Sequence, residues 1–351
     1  MVLTAHVPDT FAARPVGTST LLFIFGNGAL GVSIFFAISG FLITTLLLSE
    51  FRETGDISLK AFYLRRAFRI LPAFYTYLTV IGVLSLAGAI VTKRADFLSA
   101  AVFVWNYYWP AHNWFLGHTW SLSVEEQFYL LWPLALVTLK PRRAAILALI
   151  LIALAPAVRL LMYLLVPSSR VHIPVMLHTR VDVLMFGCVA ALLWDEPKFK
   201  RLLQWVYRRH VPAVALCFLL IISPCINRAL RGGYALSVGW TLESACITVL
   251  LLWAIDHPAT RIGRLLNWRP IAFIGVMSYS LYLWQQLFLT SLNQTTSGRF
   301  PLNLACCFLA AFMSYTVIER PFLRLRHRLA SRPSRDAKQI DPIDRPAGPG
   351  I

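Results

Sequence analysis

The sequence predicts an all-α integral membrane protein: a bundle of about ten transmembrane helices with one short re-entrant or interfacial helix. Three observations carry that prediction. Apolar residues make up 58% of the 351-residue chain and charged residues 14%, with a mean hydropathy of +0.64, so there are too few charges to coat a water-facing surface. Nine stretches approach the roughly 20 mostly apolar residues that span a bilayer. The basic residues gather in short clusters between those stretches, the pattern that orients membrane helices. A net charge of +17 distributed in this way reads as topology and not as nucleic-acid binding. Soluble enzyme, disordered scaffold and disulfide-stapled secreted module are set aside on the same grounds.

Each element follows in order. Met1–Val7 reads as the outer end of a spanning helix whose first half is missing, through a late start codon or a truncation. A segment that short is unable to cross, yet Leu21–Leu48 must start outside to end at Arg52 inside. Ile70–Val91 returns the chain outward. Phe97–Trp109 is about 20 Å long as a helix against a hydrocarbon core of about 30 Å; it is the short re-entrant or interfacial helix, rich in the Trp and Tyr that favour headgroup depth. If it does not cross, Lys140–Arg143, Lys198–Arg209, Arg261–Arg269 and Arg320–Arg328 all join Arg52–Arg69 on the cytoplasmic side. The remaining spans are Thr119–Leu139, Ala144–Leu165, His178–Trp194, Val211–Ile226, Ser237–Trp253, Ile271–Leu292 and Leu302–Pro321. Residues 1–328 form the transmembrane domain, and 329–351, rich in Pro, Arg and Asp, form a disordered cytoplasmic tail. Gly26, Gly28, Gly31, Ser33, Ala37 and Gly40 give the first full helix a small-residue seam for close helix approach. Cys188, Cys217, Cys225, Cys246, Cys306 and Cys307 lack CxxC spacing and read as small core residues.

Ionisable side chains inside such segments need a reason, because a charge in mid-bilayer costs at least about 3 kcal/mol. His6, Glu125, Glu126, Arg159, Arg180, Asp182, Glu243 and Glu319 qualify. His6 ends an apolar run, and imidazole alone takes up and returns a proton near neutral pH without help; the competing reading is an interfacial histidine at a helix end. Ser123 and Glu126 have the spacing of a capping box, whereas Glu125 has no such role. Arg180 and Asp182, two residues apart, point to different sides of a helix and each needs a partner on another helix. Arg65, Arg66 and Arg69 crowd one helix end, where guanidinium forks suit phosphate and arginine also serves as an orientation signal. His112 and His118, like His172 and His178, are spaced so that neither pair shares a helical face, and no metal motif, Walker loop, dinucleotide fingerprint or nucleophile elbow is present.

Several blocks together resemble the membrane-bound acyltransferase family 3, polytopic O-acyltransferases of bacterial saccharides. They are Gly31–Ile43 (GVSIFFAISGFLI), Phe62–Pro72 (FYLRRAFRILP) and His118–Pro133 (HTWSLSVEEQFYLLWP), with weaker echoes at Thr179–Asp182, Ile274–Trp284 and Ile318–Phe322. The resemblance implies a ten-helix bundle in the bacterial cytoplasmic membrane, with a cytoplasmic C-terminus and a catalytic histidine in the first helix, which falls on His6. It implies that Arg66 and Arg69, with Arg65 beside them, bind the acyl donor, acyl-CoA and most simply acetyl-CoA. Glu125 and Glu126 then orient His6 or the acceptor, and Trp120, Arg180 and Asp182 contact substrate. Where many relatives carry His after Leu-Trp, this chain carries Gln285.

The function that follows is transfer of an acyl group from acyl-CoA, through the bilayer, to a hydroxyl of a cell-envelope saccharide or glycolipid, with no permanently bound cofactor, no metal and no nucleic-acid partner. Direct transfer and a brief acyl-histidine both fit. The rival readings are a transporter or flippase of a lipid-linked saccharide and an inactive truncated homologue.

Overall fold

A computed structural model describes residues 2–7, 27–108, 113–230, 232–293 and 295–330. The described elements are helical throughout, with no strand among them. The expected tail beyond residue 330 and the expected first turns of Leu21–Leu48 lie outside the described residues.

A short helix, α1 (Val2–His6), packs on the start of α2 (Gly28–Thr54), where Asn27 accepts a hydrogen bond from Leu30 N–H and so caps the exposed N–H groups. Gly55, at φ 79°, ends α2 in the left-handed conformation that glycine tolerates best. Ser58 then caps α3 (Leu59–Leu86). With so short a connection the two helices run antiparallel. Glu50 on α2 lies about 33 Å beyond Gly28 at 1.5 Å per residue, close to the thickness of a hydrocarbon core.

After α3 the chain forms α4 (Arg94–Ala101) and a single tight turn at Trp105–Tyr107. The helix expected over Phe97–Trp109 therefore starts earlier and stops at Ala101, because Phe103 adopts φ 55° and turns the chain. At 8 residues α4 is too short to cross. One helical turn at Trp114–Gly117 leads into α5 (Thr119–Leu165), which is broken at Lys140 with φ 61° and ψ 162°. Pro141 supplies no N–H and opens the returning segment.

Contacts show that α5 doubles back there. Its residues Tyr129 and Trp132 meet Ser39 and Thr44 of α2 in ascending order, so 119–139 runs parallel to α2. α6 (Leu177–Leu193) is also parallel to α2, since Arg180 meets Ser33 and Cys188 meets Gly40. Arg159 reaches Asp182 near the start of α6, so the second half of α5 ends where α2 begins.

The longer helices that follow are α7 (Pro197–Arg208), α8 (Val211–Ala229), α9 (Ala235–Asp256), α10 (Ser278–Phe288) and α11 (Leu302–Arg326). The span expected over Ile271–Leu292 is divided: a helix at Arg269–Val276 stops at Met277 before α10 begins. Among the described residues seven helices are long and apolar enough to cross a membrane, one of them the 52-residue segment Trp114–Leu165. That length is about 78 Å, enough to cross twice.

The seam on α2 works as a contact surface with α6. A Cβ on Gly40 would stand 2.1 Å from the carbonyl oxygen of Leu184, and one on Gly187 would stand 2.2 Å from that of Ala37. The principal apolar core lies between α2, α3, α5 and α6, around Phe36, Phe74, Tyr77, Val124 and Leu136. Cys188 and Cys307 are buried as expected, but Cys217 and Cys225 are exposed, on a helix whose neighbours cover only part of its surface.

Candidate active site

The first cluster lies at the end of the bundle where α2 begins. His6 closes α1, and its ring meets Trp114 edge-on at 5.4 Å between centroids. Trp114 donates from Nε1 to the carbonyl of Gln286 at 2.9 Å, which fixes the indole. Four residues on, His118 is buried and lies within the electrostatic field of His6. Its backbone N–H and its Nδ1 both reach Oε1 of Gln286, at 3.2 and 2.7 Å. A backbone N–H only donates, so that atom is the acceptor oxygen and Nδ1 carries the imidazole proton. Nε2 is then the basic nitrogen, and no side chain among the described residues hydrogen-bonds to it. Tyr77 and Tyr282 pack edge-on to the same ring, each at 5.4 Å. Sequence reasoning tested His118 only as a metal ligand and passed it over; the signal for it was its place at the head of the HTWSLSVEEQFY block.

Glu125 sits nearly two turns deeper in α5. It is buried and accepts hydrogen bonds from Ser39 of α2 and from Tyr129, the latter at 3.3 Å. The guanidinium of Arg66 covers the Tyr129 ring at 5.2 Å and lies in the field of both Glu125 and Glu126. The expected capping box at Ser123 and Glu126 is absent. The helix starts at Thr119, and Ser123 donates instead to the Thr119 carbonyl at 3.0 Å, so Glu126 is an inward residue of the helix and not an N-terminal cap.

The three arginines diverge. Arg65 pairs with Glu50 of α2 at 2.7 Å, Arg66 turns inward, and Arg69 is exposed, with Glu319 of α11 in its field. Arg65 and Arg69 also act on Arg326, a fourth guanidinium that no motif singles out. This cationic group is at the far end of α2 from His6.

A cavity of about 220 Å³ runs beside α10 between these two ends, bounded by Leu3 of α1, Val32 of α2, Ser121 of α5, and Ser278, Tyr282 and Gln285. Gln285 is fully buried, and neither its amide nitrogen nor its oxygen has a partner among the described residues. Buried amides are nearly always hydrogen-bonded, so one that borders a cavity is placed to meet a ligand.

Asp182 and Arg180 take separate partners, as their spacing requires. Asp182 pairs with Arg159 at 2.9 Å and accepts from Thr241 at 2.6 Å. Arg180 donates to Ser33 at 2.6 Å and lies 4.7 Å over the Trp240 ring. Trp120, half-buried, packs edge-on to Phe36. These residues surround the other side of α2 and do not border the cavity beside Gln285. No group of three metal-ligating side chains occurs among the described residues.

Fold and site together define a polytopic helical membrane protein in which the open amide of Gln285 borders an internal cavity. A family model described as an acyltransferase domain matches residues 1–319, and the chain belongs to that family of acyl-transferring enzymes, acyltransferase family 3. It is 32% identical over 330 residues to peptidoglycan O-acetyltransferase OatA of Listeria monocytogenes, covering 84% of this chain and 51% of that one. It is 29% identical over 349 residues to YrhL of Bacillus subtilis, a protein provisionally named a peptidoglycan O-acetyltransferase, covering 92% of this chain and 55% of that one. The chain thus spans about half the length of the curated relatives it matches. No solved structure matches it.

Proposed function

We propose that the chain is the membrane-embedded acyl-transfer unit of a saccharide O-acetyltransferase, drawing acetyl groups from acetyl-CoA and esterifying a glycan hydroxyl, with peptidoglycan the acceptor its relatives favour. The observation that carries this reading is the cavity at Gln285, which lies between a cationic end suited to a phosphorylated donor and an imidazole end suited to taking a proton.

In this reading Arg65, Arg69 and Arg326 hold the donor's phosphates at the cytoplasmic face of a bacterial inner membrane. The pantetheine arm enters beside α10, and the Gln285 amide N–H polarises the thioester carbonyl. His6 removes the proton from the acceptor hydroxyl, with His118 holding a second basic nitrogen close by. The hydroxyl oxygen bonds to the carbonyl carbon, the C–S bond breaks, and the thiolate leaves with the electron pair and takes up a proton. Glu125 and Arg66 neutralise each other along the route. Arg180, Asp182 and Trp120 act from the other side of α2, holding α5 and α6 in place around it. The bundle reaches nine crossings when Trp114–Leu165 counts twice and the divided helix ending in α10 also inserts, with α1 the outer part of a tenth; its C-terminus is then cytoplasmic.

The test supplies radiolabelled acetyl-CoA to membranes carrying the chain and follows label into peptidoglycan. Labelling by wild type that falls by about 10²–10⁴ in His6→Ala, the range for loss of a general base, supports the reading. Equal labelling by the two, or none by wild type, overturns it.

A further inference from the structure

The segment between α3 and α5 builds a second cavity, of about 440 Å³, at the same end of the bundle as His6; Lys93, Asp96, Trp114 and Leu292 border it. That volume lies within the range of small-ligand pockets. Asp96 stands in the first turn of α4, where Oδ2 accepts the backbone N–H of Lys93 at 3.3 Å and so starts the helix. Its other oxygen, Oδ1, has no such duty. Asp96 is 4% exposed; among the described residues the Tyr108 hydroxyl is hydrogen-bonded toward the carboxylate, and no donor closes a bond of ordinary geometry on Oδ1. An ionised carboxylate is a pure acceptor with room for about four donors, so beyond the Lys93 N–H and the Tyr108 hydroxyl it has capacity for a donor arriving from the cavity.

The opposite wall is an aromatic ring. Trp114 is anchored by its Nε1 bond to the Gln286 carbonyl, and the same indole meets His6 edge-on. One side chain therefore borders the cavity and touches the candidate base. The neighbouring Asn113 is not available to a ligand: its amide donates to the Val91 carbonyl and accepts from Leu116 N–H. What remains is one carboxylate oxygen, one ammonium and an indole, with apolar side chains around them. Hydroxyl donors on an apolar ring are the chemistry that this set recognises, the ring lying against the aromatic and a hydroxyl donating to the carboxylate.

We propose that this cavity is the acceptor subsite: a pyranose ring of the glycan packs on Trp114, donates a hydroxyl hydrogen to Asp96 Oδ1 and receives hydrogen bonds from Lys93. The ring is thereby held beside His6. The assignment rests on the saccharide O-acetyltransferase reading, which it extends by locating the acceptor.

The experiment uses the full chain in lipid nanodiscs, labelled acetyl-CoA as donor, and tetra-N-acetylchitotetraose as a soluble glycan. Asp96→Asn keeps an oxygen for the Lys93 N–H and places an NH₂ group where the acceptor oxygen was. The expected result is a rise of tenfold or more in KM for the tetrasaccharide, with kcat at saturating saccharide within threefold of wild type and an unmoved thermal midpoint. Lys93→Met, which leaves the backbone N–H in place, raises the same KM about threefold and decides the matter should Asp96→Asn melt early. An unmoved KM, or a fall in kcat alone, overturns the subsite while leaving the enzymatic reading intact. Absence of transfer by wild type overturns both.

Discussion

Arg159 and Gln285 are both fully buried polar side chains, and they are treated in opposite ways. Arg159 spends its donors completely: Nε on the Leu236 carbonyl, Nη1 on the Thr179 carbonyl and Asp182, Nη2 on the Ser237 carbonyl and Thr241. Gln285 spends none. A charge in lipid is tolerated when neighbouring helices neutralise and hydrogen-bond it, and the pair then fixes how those helices meet. An amide left open carries a cost that a ligand relieves. At these two positions the satisfied group braces the scaffold and the open one borders the cavity.

The sharpest way to break the comparison is Arg159→Met. Removing one partner of a buried ion pair leaves Asp182 uncompensated, a loss of about 3–5 kcal/mol. The variant is expected to lose most of its folded yield, measured by size-exclusion recovery and thermal unfolding in nanodiscs. The double change Arg159→Met with Asp182→Leu should be more stable than Arg159→Met alone. If the double change is no better, the pair is not what holds α5 to α6.

On the site side, Gln285→Leu closes the open amide with an apolar group of similar size. Replacing an unpaired buried amide in this way is expected to leave the thermal midpoint equal or higher, while acetyl transfer falls about tenfold or more, the scale of one lost hydrogen bond to a reacting group. A fall in stability matching the fall in activity would move Gln285 to the scaffold. Between these in mechanism is Gly187→Ala, where the new Cβ meets the Ala37 carbonyl oxygen at 2.2 Å. Backbone atoms are unable to yield as a side chain does, so α2 and α6 separate, at a cost of about 1–3 kcal/mol by the usual measure of overpacking. Thermal unfolding checks it.

The membrane class, the membrane-crossing stretches and the α2 seam were legible because each is a local property: apolar run length and residue size. The cost of charge in lipid singled out His6 and Glu125, crowding singled out Arg65, Arg66 and Arg69, and the resemblance put the blocks that carry them in order. What stayed hidden depended on three-dimensional pairing. Nothing in the spacing of His118 told that Gln286, 168 positions away, would fix its tautomer. The capping box at Ser123 failed because the helix had already begun at Thr119. The grouping of Arg326 with Arg65 and Arg69 needed α11 to return beside α3.

The smallest expected stability effect falls on Arg65, and there the two treatments of polar groups meet. Its ion pair with Glu50 is 2.7 Å long, but the arginine side chain is 42% exposed. A pair so open to water contributes at most about 1 kcal/mol, so Arg65→Gln should hardly shift the thermal midpoint. Its guanidinium and that of Arg69 also act on Arg326, a grouping of like charges that a polyphosphate donor would relieve. Arg65→Gln is therefore expected to raise KM for acetyl-CoA several-fold at low ionic strength. The difference from wild type should shrink as salt rises toward about 1 M, where screening shortens to about 3 Å. A KM that does not move, or a shift indifferent to salt, would return Arg65 to the role of an orientation signal and leave Arg69 and Arg326 to hold the donor.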